Sequence, residues 1–157
     1  MIQLLLKAGR LLKADVRATD KYGNSSVLYA AMRGHSEAVE LLIQAHADVD
    51  KANEQGTSPL MMAAKHRHPR VLDLLLEAHA DVDAADNAGT TALMFSAHQG
   101  HIGIVRRLLK ANANANAVDN TGKTALEVTL QMSSWRRKEY SEIAQLLRGA
   151  MGSRTDV

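Results

Sequence analysis

Three observations predict an all-α solenoid of stacked helix-turn-helix units joined by β-hairpin-like turns. Gly23, Gly56, Gly89 and Gly122 recur at intervals of 33 residues. Asp20, Asn53, Asp86 and Asp119 stand ahead of them, and Ser25, Ser58, Thr91 and Thr124 behind. Each turn residue and glycine is thus followed in register by a hydroxyl suited to cap a helix. Between the turns lie short alanine- and leucine-rich segments too brief to span a globular core. A period of this length is one supersecondary unit stacked on copies of itself. Such a stack offers a surface rather than a convergent pocket, which weighs against catalysis.

The elements follow in order within a single domain over residues 1–150. Residues 1–19 read as a partial unit. Ile2 to Gly9 resembles a second helix with its terminal glycine, and Ala14-Asp15-Val16 matches Ala47-Asp48-Val49 and Ala80-Asp81-Val82. Lys7 and Arg10 make this start too charged for a membrane span or a secretory signal, while its basic, acid-free character leaves an amphipathic targeting segment open. Residues 20–52 form the first full unit. A turn around Gly23 leads to a short helix bearing Val27, Ala30 and Ala31, ended by Gly34. A second helix follows from about Ser36 to Ala45, and then an extended return.

Residues 53–85 repeat the scheme, with Pro59 and Pro69 at first helical positions, where a missing N–H costs nothing. Residues 86–118 do so again. Residues 119–148 open on Thr124-Ala-Leu-Glu127, the spacing of a capping box. They carry an insertion near 133–142, read as an enlarged loop beside Trp135, before the second helix resumes at Ile143. Residues 149–157 read as a flexible tail ending in Thr155-Asp156-Val157, which resembles a terminal ligand for a PDZ domain. Helices this short do not persist alone. Burial of Val27, Leu60, Leu93 and Leu126 against neighbouring units is expected to hold them.

Composition narrows the function classes. Aromatic residues are 3% of the chain against 46% hydrophobic overall, so the core is aliphatic and alanine-rich. The absence of cysteine excludes disulfides, thiolate metal sites and a thiol nucleophile. A formal charge of +2 is too small to argue for nucleic acid. His35, His68 and His101 occupy equivalent positions, separated by a repeat rise of ~10 Å, too far apart to share a metal. The acids Asp48, Asp50, Asp81 and Asp83 form a similar ladder and fail as a catalytic pair. No motif sets a nucleophile beside a base, and no glycine-rich phosphate loop is present. No enzyme activity, metal or cofactor is expected.

The segments Gly23-Asn-Ser-Ser-Val-Leu-Tyr-Ala-Ala-Met-Arg-Gly-His35, Gly56-Thr-Ser-Pro-Leu-Met-Met-Ala-Ala-Lys-His-Arg-His68 and Gly89-Thr-Thr-Ala-Leu-Met-Phe-Ser-Ala-His-Gln-Gly-His101 resemble the ankyrin-repeat family, with about four repeats and a partial N-terminal unit. The signature histidine is replaced by Leu28, Met61, Met94 and Glu127. In the family it ties adjacent turns, so looser turns are expected here. His46, His79 and Asn112 replace the glycine closing the second helix, and Arg67 and Ser133 the one ending the first. Asn and His tolerate a left-handed cap better than most residues, at some cost.

The resemblance implies a non-catalytic, intracellular interaction module, cytoplasmic or, in a eukaryote, nuclear. Its partner, another protein, would dock on the concave face of turn tips and inner helices. By position that face comprises Tyr22, Asn24, Met32, Arg33, Glu54, Gln55, Thr57, Lys65, His66, Asn87, Thr90, His98, Gln99, Thr121 and Lys123. An accessory basic patch at the inter-helix loops (Arg67, Arg70, Trp135, Arg136, Arg137 and Lys138) would favour an acidic partner segment. Nucleic acid and membrane are not expected partners. Two alternatives stand beside this reading: a regulatory or targeting segment of a larger enzyme, and self-association through the apolar Leu4-Leu5-Leu6 end.

Overall fold

The computed structural model of the chain describes residues 16–132 and 137–152. Eight helices and no extended strand occupy the described residues. They are α1 Ser26–Arg33, α2 Ser36–Gln44, α3 Pro59–Lys65, α4 Pro69–Glu77, α5 Ala92–His98, α6 Ile102–Lys110, α7 Ala125–Met132 and α8 Arg137–Gly152. Isolated antiparallel bridges, Thr19 with Ser25 and Ala85 with Thr91, close the base of two turns. The expectations on residues 1–15 of the N-terminal partial unit, the tail motif, Ser133, Trp135 and Arg136 lie outside the described residues, as does the side chain of Arg137.

Contacts gather the chain into two compact units, Met1–Ala80 and Asp81–Val157. In the first, α1 packs on α2 and α3, α3 on α4, and α2 on α4. In the second, α5 packs on α6 and α7, α7 on α8, and α6 on α8. Each unit is therefore built on two helix pairs. Ala31, Ala63, Ala64 and Ala97 are completely buried, which lets the first helices approach closely. Val39, Leu72 and Leu75 fill the first core, and Val105, Leu108, Ile143 and Leu147 the second. Burying one such aliphatic side chain contributes about 1.5–3 kcal/mol, and this burial holds helices of seven to nine residues that would melt alone. Leu28, Met61 and Met94, at the signature-histidine positions, are buried in the same cores.

The helix entries follow from the repeated hydroxyls. Ser25 Oγ accepts from the Leu28 amide at 3.2 Å, Ser58 Oγ from Met61 at 3.3 Å and Thr91 Oγ1 from Met94 at 3.4 Å. The Thr124 amide donates to Glu127 Oε2 at 2.7 Å while the Glu127 amide donates to Thr124 Oγ1, the reciprocal pairing expected of a capping box. The left-handed positions are also occupied as the substitution pattern implies. His46, Arg67, His79 and Asn112 have φ of 58°, 59°, 62° and 63°, a conformation that costs a side chain roughly 1–2 kcal/mol.

The last unit departs from expectation. Residues 137–142, read as part of an enlarged loop, belong to α8, and so do residues 149–152, read as the start of a tail. The inserted Arg-Lys-Glu-Tyr-Ser-Glu has neither glycine nor proline, so nothing in it interrupts a helix. Tyr140 also anchors it, being buried with its hydroxyl donating to the His98 carbonyl at 2.8 Å. A Cβ on Gly100 would lie 3.4 Å from that ring. In the first unit His68 plays the same part. Its Nε2–H donates to the Met32 carbonyl at 3.1 Å, and a Cβ on Gly34 would come within 2.9 Å of its ring. Met32 and His98 are two repeats apart, so Tyr140 substitutes for the histidine that the final repeat lacks.

Candidate partner-binding surface

Each turn is held by one side-chain oxygen. Asp20 Oδ1 accepts from the amides of Tyr22 and Asn24, and Asn53 Oδ1 from Gln55 and Thr57. Asp86 Oδ1 accepts from Ala88 and Thr90, and Asp119 Oδ1 from Thr121 and Lys123. This geometry explains the Asp or Asn three residues before each glycine, since a short acceptor reaches two amides across the bend. Asn24 and Tyr29 hydrogen bonds hold Asp20 well below the usual carboxylate range, and a Thr121 hydrogen bond lowers Asp119.

Adjacent turns are tied by amides. In the first unit the Glu54 amide donates to the Tyr22 carbonyl at 3.1 Å, and Asn53 Nδ2 to Asn24 Oδ1 at 3.0 Å. In the second unit the Asn120 amide donates to the Ala88 carbonyl at 2.9 Å, and Asn120 Nδ2 to the Asn87 carbonyl at 3.0 Å. Within each unit these bonds make the turn-to-turn ties that the resemblance assigns to the missing histidine. The close approach also explains the glycines, because a Cβ on Gly89 would meet the Asn120 backbone nitrogen at 2.9 Å.

The structure sorts the residues expected on the face. In the first unit Tyr22 is 51% exposed, with the Lys21 ammonium 4.8 Å from its ring centroid. Arg33, Glu54, Gln55 and His66 are exposed, and Met32 and Lys65 half-buried. Thr57 is a correction. At 7% exposure it is buried, with its amide donating to Asn53 Oδ1 at 2.9 Å. Asn24 is half-buried and its side chain is spent within the turn, donating to Asp20 Oδ2 and accepting from Asn53.

In the second unit Asn87, His98, Gln99 and Thr121 are exposed, while Thr90 and Lys123 are half-buried. Thr121 Oγ1 donates to Asp119, and Lys123 Nζ lies 3.5 Å from Gln131 Oε1. Lys138, expected on a loop, is exposed in the first turn of α8. It lines a shallow recess with Ser141, Gln145 and the Arg106–Glu142 ion pair. Arg67 and Arg70 are exposed in the first unit.

One surface residue escaped the reading by position. Tyr29 on α1 is 44% exposed, with its hydroxyl donating to Asp20 Oδ2 at 2.7 Å, a bond that raises the phenol's pKa. Equivalent positions hold the half-buried Met62 in the first unit, and Phe95 and Val128 in the second. The signal was present in the helix period, which sets residue 29 opposite Val27, Ala30 and Ala31. Its aromatic character concealed it, since such residues normally enter a core.

A scan against protein families matches the model described as Ankyrin repeats (3 copies) over residues 1–86, more than half of the chain. The chain belongs to the ankyrin-repeat family. A second model, Ankyrin repeats (many copies), matches residues 75–128 of this ankyrin-repeat protein. No curated protein matches it. Ankyrin repeats generally serve as protein–protein interaction modules and are generally non-catalytic. Among the described residues no helix is long and apolar enough to cross a membrane.

Proposed function

We propose that this ankyrin-repeat chain is a non-catalytic scaffold or adaptor module. It binds a partner protein through turn tips and the exposed sides of first helices. The observation that carries this reading is the pairing of a repeated, internally satisfied frame with varied, exposed residues on the turns and first helices. The frame consists of caps, turn oxygens and buried aliphatics, and the same atoms recur in each repeat. Tyr22, Tyr29, Gln55, His98, Gln99 and Thr121 differ from their equivalents, and none of their side chains fills a core. Tyr22 and Arg33 are the anchors of the first unit, because aromatic and arginine side chains dominate interface energies.

The test is affinity capture from the source organism's lysate with the wild-type chain and with a Tyr22→Ser/Arg33→Ser variant. Both substitutions lie on exposed positions, so circular dichroism is expected to be unchanged. A specific protein retained by the wild type and lost by the folded variant supports the site. Equal retention by both proteins rejects it.

A further inference from the structure

The two inter-helix reversals of the first unit are joined by His68, whose Nε2–H reaches the Met32 carbonyl and whose ring lies against Gly34. This brings Arg33, next to Met32, onto the same edge as His66 and Arg67. The His66 and His68 rings are stacked with centroids 6.3 Å apart. Residues 33–35 and 65–70 contain Arg33, His35, Lys65, His66, Arg67, His68 and Arg70, and no acid. Glu37 and Asp73 lie farther along α2 and α4, and each makes an interaction. Among the described residues Arg33, Arg67 and Arg70 take part in no ion pair.

Two of these cations sit where the local backbone disfavours them. Arg67 has φ of 59°, whereas glycines fill the equivalent places, Gly34 at 72° and Gly100 at 74°. A side chain there costs stability that glycine would not, and among the described residues no ion pair engages it. Arg70 lies in the first turn of α4, where the positive end of the helix dipole repels a cation. The dipole accounts for Arg33 and Lys65, which close α1 and α3, but for neither of the others. Strained or misplaced groups that the fold does not need point to use by a partner. Burial first, and then the charge of Lys65, lower the pKa of His66 on this edge.

We infer that the edge formed by Arg33, His66, Arg67 and Arg70 binds an acidic protein segment, its guanidiniums taking carboxylates in bidentate pairs. This rests on the reading of the chain as a protein-interaction module. Four side chains suit a short run of carboxylates.

The test is fluorescence anisotropy of the full chain with a labelled twelve-residue glutamate-rich peptide and its glutamine counterpart, at low and moderate salt. The glutamate peptide is expected to bind with a salt-dependent affinity and the glutamine peptide not to bind. Arg67→Gly is expected to weaken binding at least about fivefold while raising the urea midpoint, so the loss is not a loss of fold. Arg70→Gln is expected to weaken it further, and Lys110→Gln, which removes an exposed cation of the second unit, to leave it unchanged. Equal behaviour of the two peptides overturns the inference. So does wild-type affinity in Arg67→Gly, or tighter binding of an oligothymidylate or of phosphatidylserine vesicles. If the peptide fails while lysate capture still responds to Tyr22→Ser/Arg33→Ser, only the acidic-segment assignment falls. If both fail, the module reading falls with it.

Discussion

At the scale of single residues, the repeat is held by short polar side chains whose charge state ties stability to pH. Asp20, Asp119 and Glu127 accept hydrogen bonds that hold their pKa values below the ordinary carboxylate range. Their contribution is therefore complete above the unfolded value and is lost as pH falls through the folded one. Asn53 performs the same task in the second repeat without titrating. Asp20→Asn is thus expected to preserve the turn and to make the fall in urea midpoint below pH ~4 shallower. An unchanged acid limb refutes that assignment. His66 acts in a higher window. Its lowered pKa favours the neutral ring in the folded state, so stability falls as pH drops below the ordinary value of 6.5. His66→Gln is expected to flatten the urea midpoint in that window, and an identical slope contradicts it. The left-handed positions make an independent prediction. His79→Gly relieves a side chain at φ of 62°, and a gain of about 0.5–1 kcal/mol in urea unfolding is expected.

At the scale of elements, α8 shows how a tertiary contact redirects a segment. The interruption of the repeat in this stretch was legible, but its conformation was not, because Tyr140 is helical or loop-forming according to what lies beside it. Gly100 leaves room for its ring, and the His98 carbonyl offers an acceptor. Tyr140→Phe keeps the ring and removes the bond, so a loss of about 1 kcal/mol is expected. Tyr140→Ala also opens the core, with an expected loss of about 3–5 kcal/mol. Equal stability of the two variants would mean that the ring contributes no packing. The N-terminus of α7 depends instead on neighbours in sequence, the Thr124–Glu127 box, which is why its capping could be read directly.

At the scale of the whole molecule, stability is expected to be assembled from local terms, as in other repeat proteins. Leu72 and Ile143 are completely buried in the first and second units. Leu72→Ala and Ile143→Ala are each expected to cost about 2–5 kcal/mol, with amide-exchange protection falling most in the substituted unit. Uniform loss of protection throughout the chain would show a single cooperative block instead.

The glycine period, the capping hydroxyls, the turn acids and the non-glycine left-handed caps were all determined by the sequence alone. Each depends on hydrogen bonds or φ preferences within a few residues of itself. Tertiary structure decided which of the expected surface residues are free. Thr57 lies under its turn, Asn24 is spent within its own turn and on the next, Tyr29 stands exposed on α1, and Tyr140 is buried in α8. Exposure is set by what the next repeat places alongside, and the spacing of residues along one chain does not carry that information.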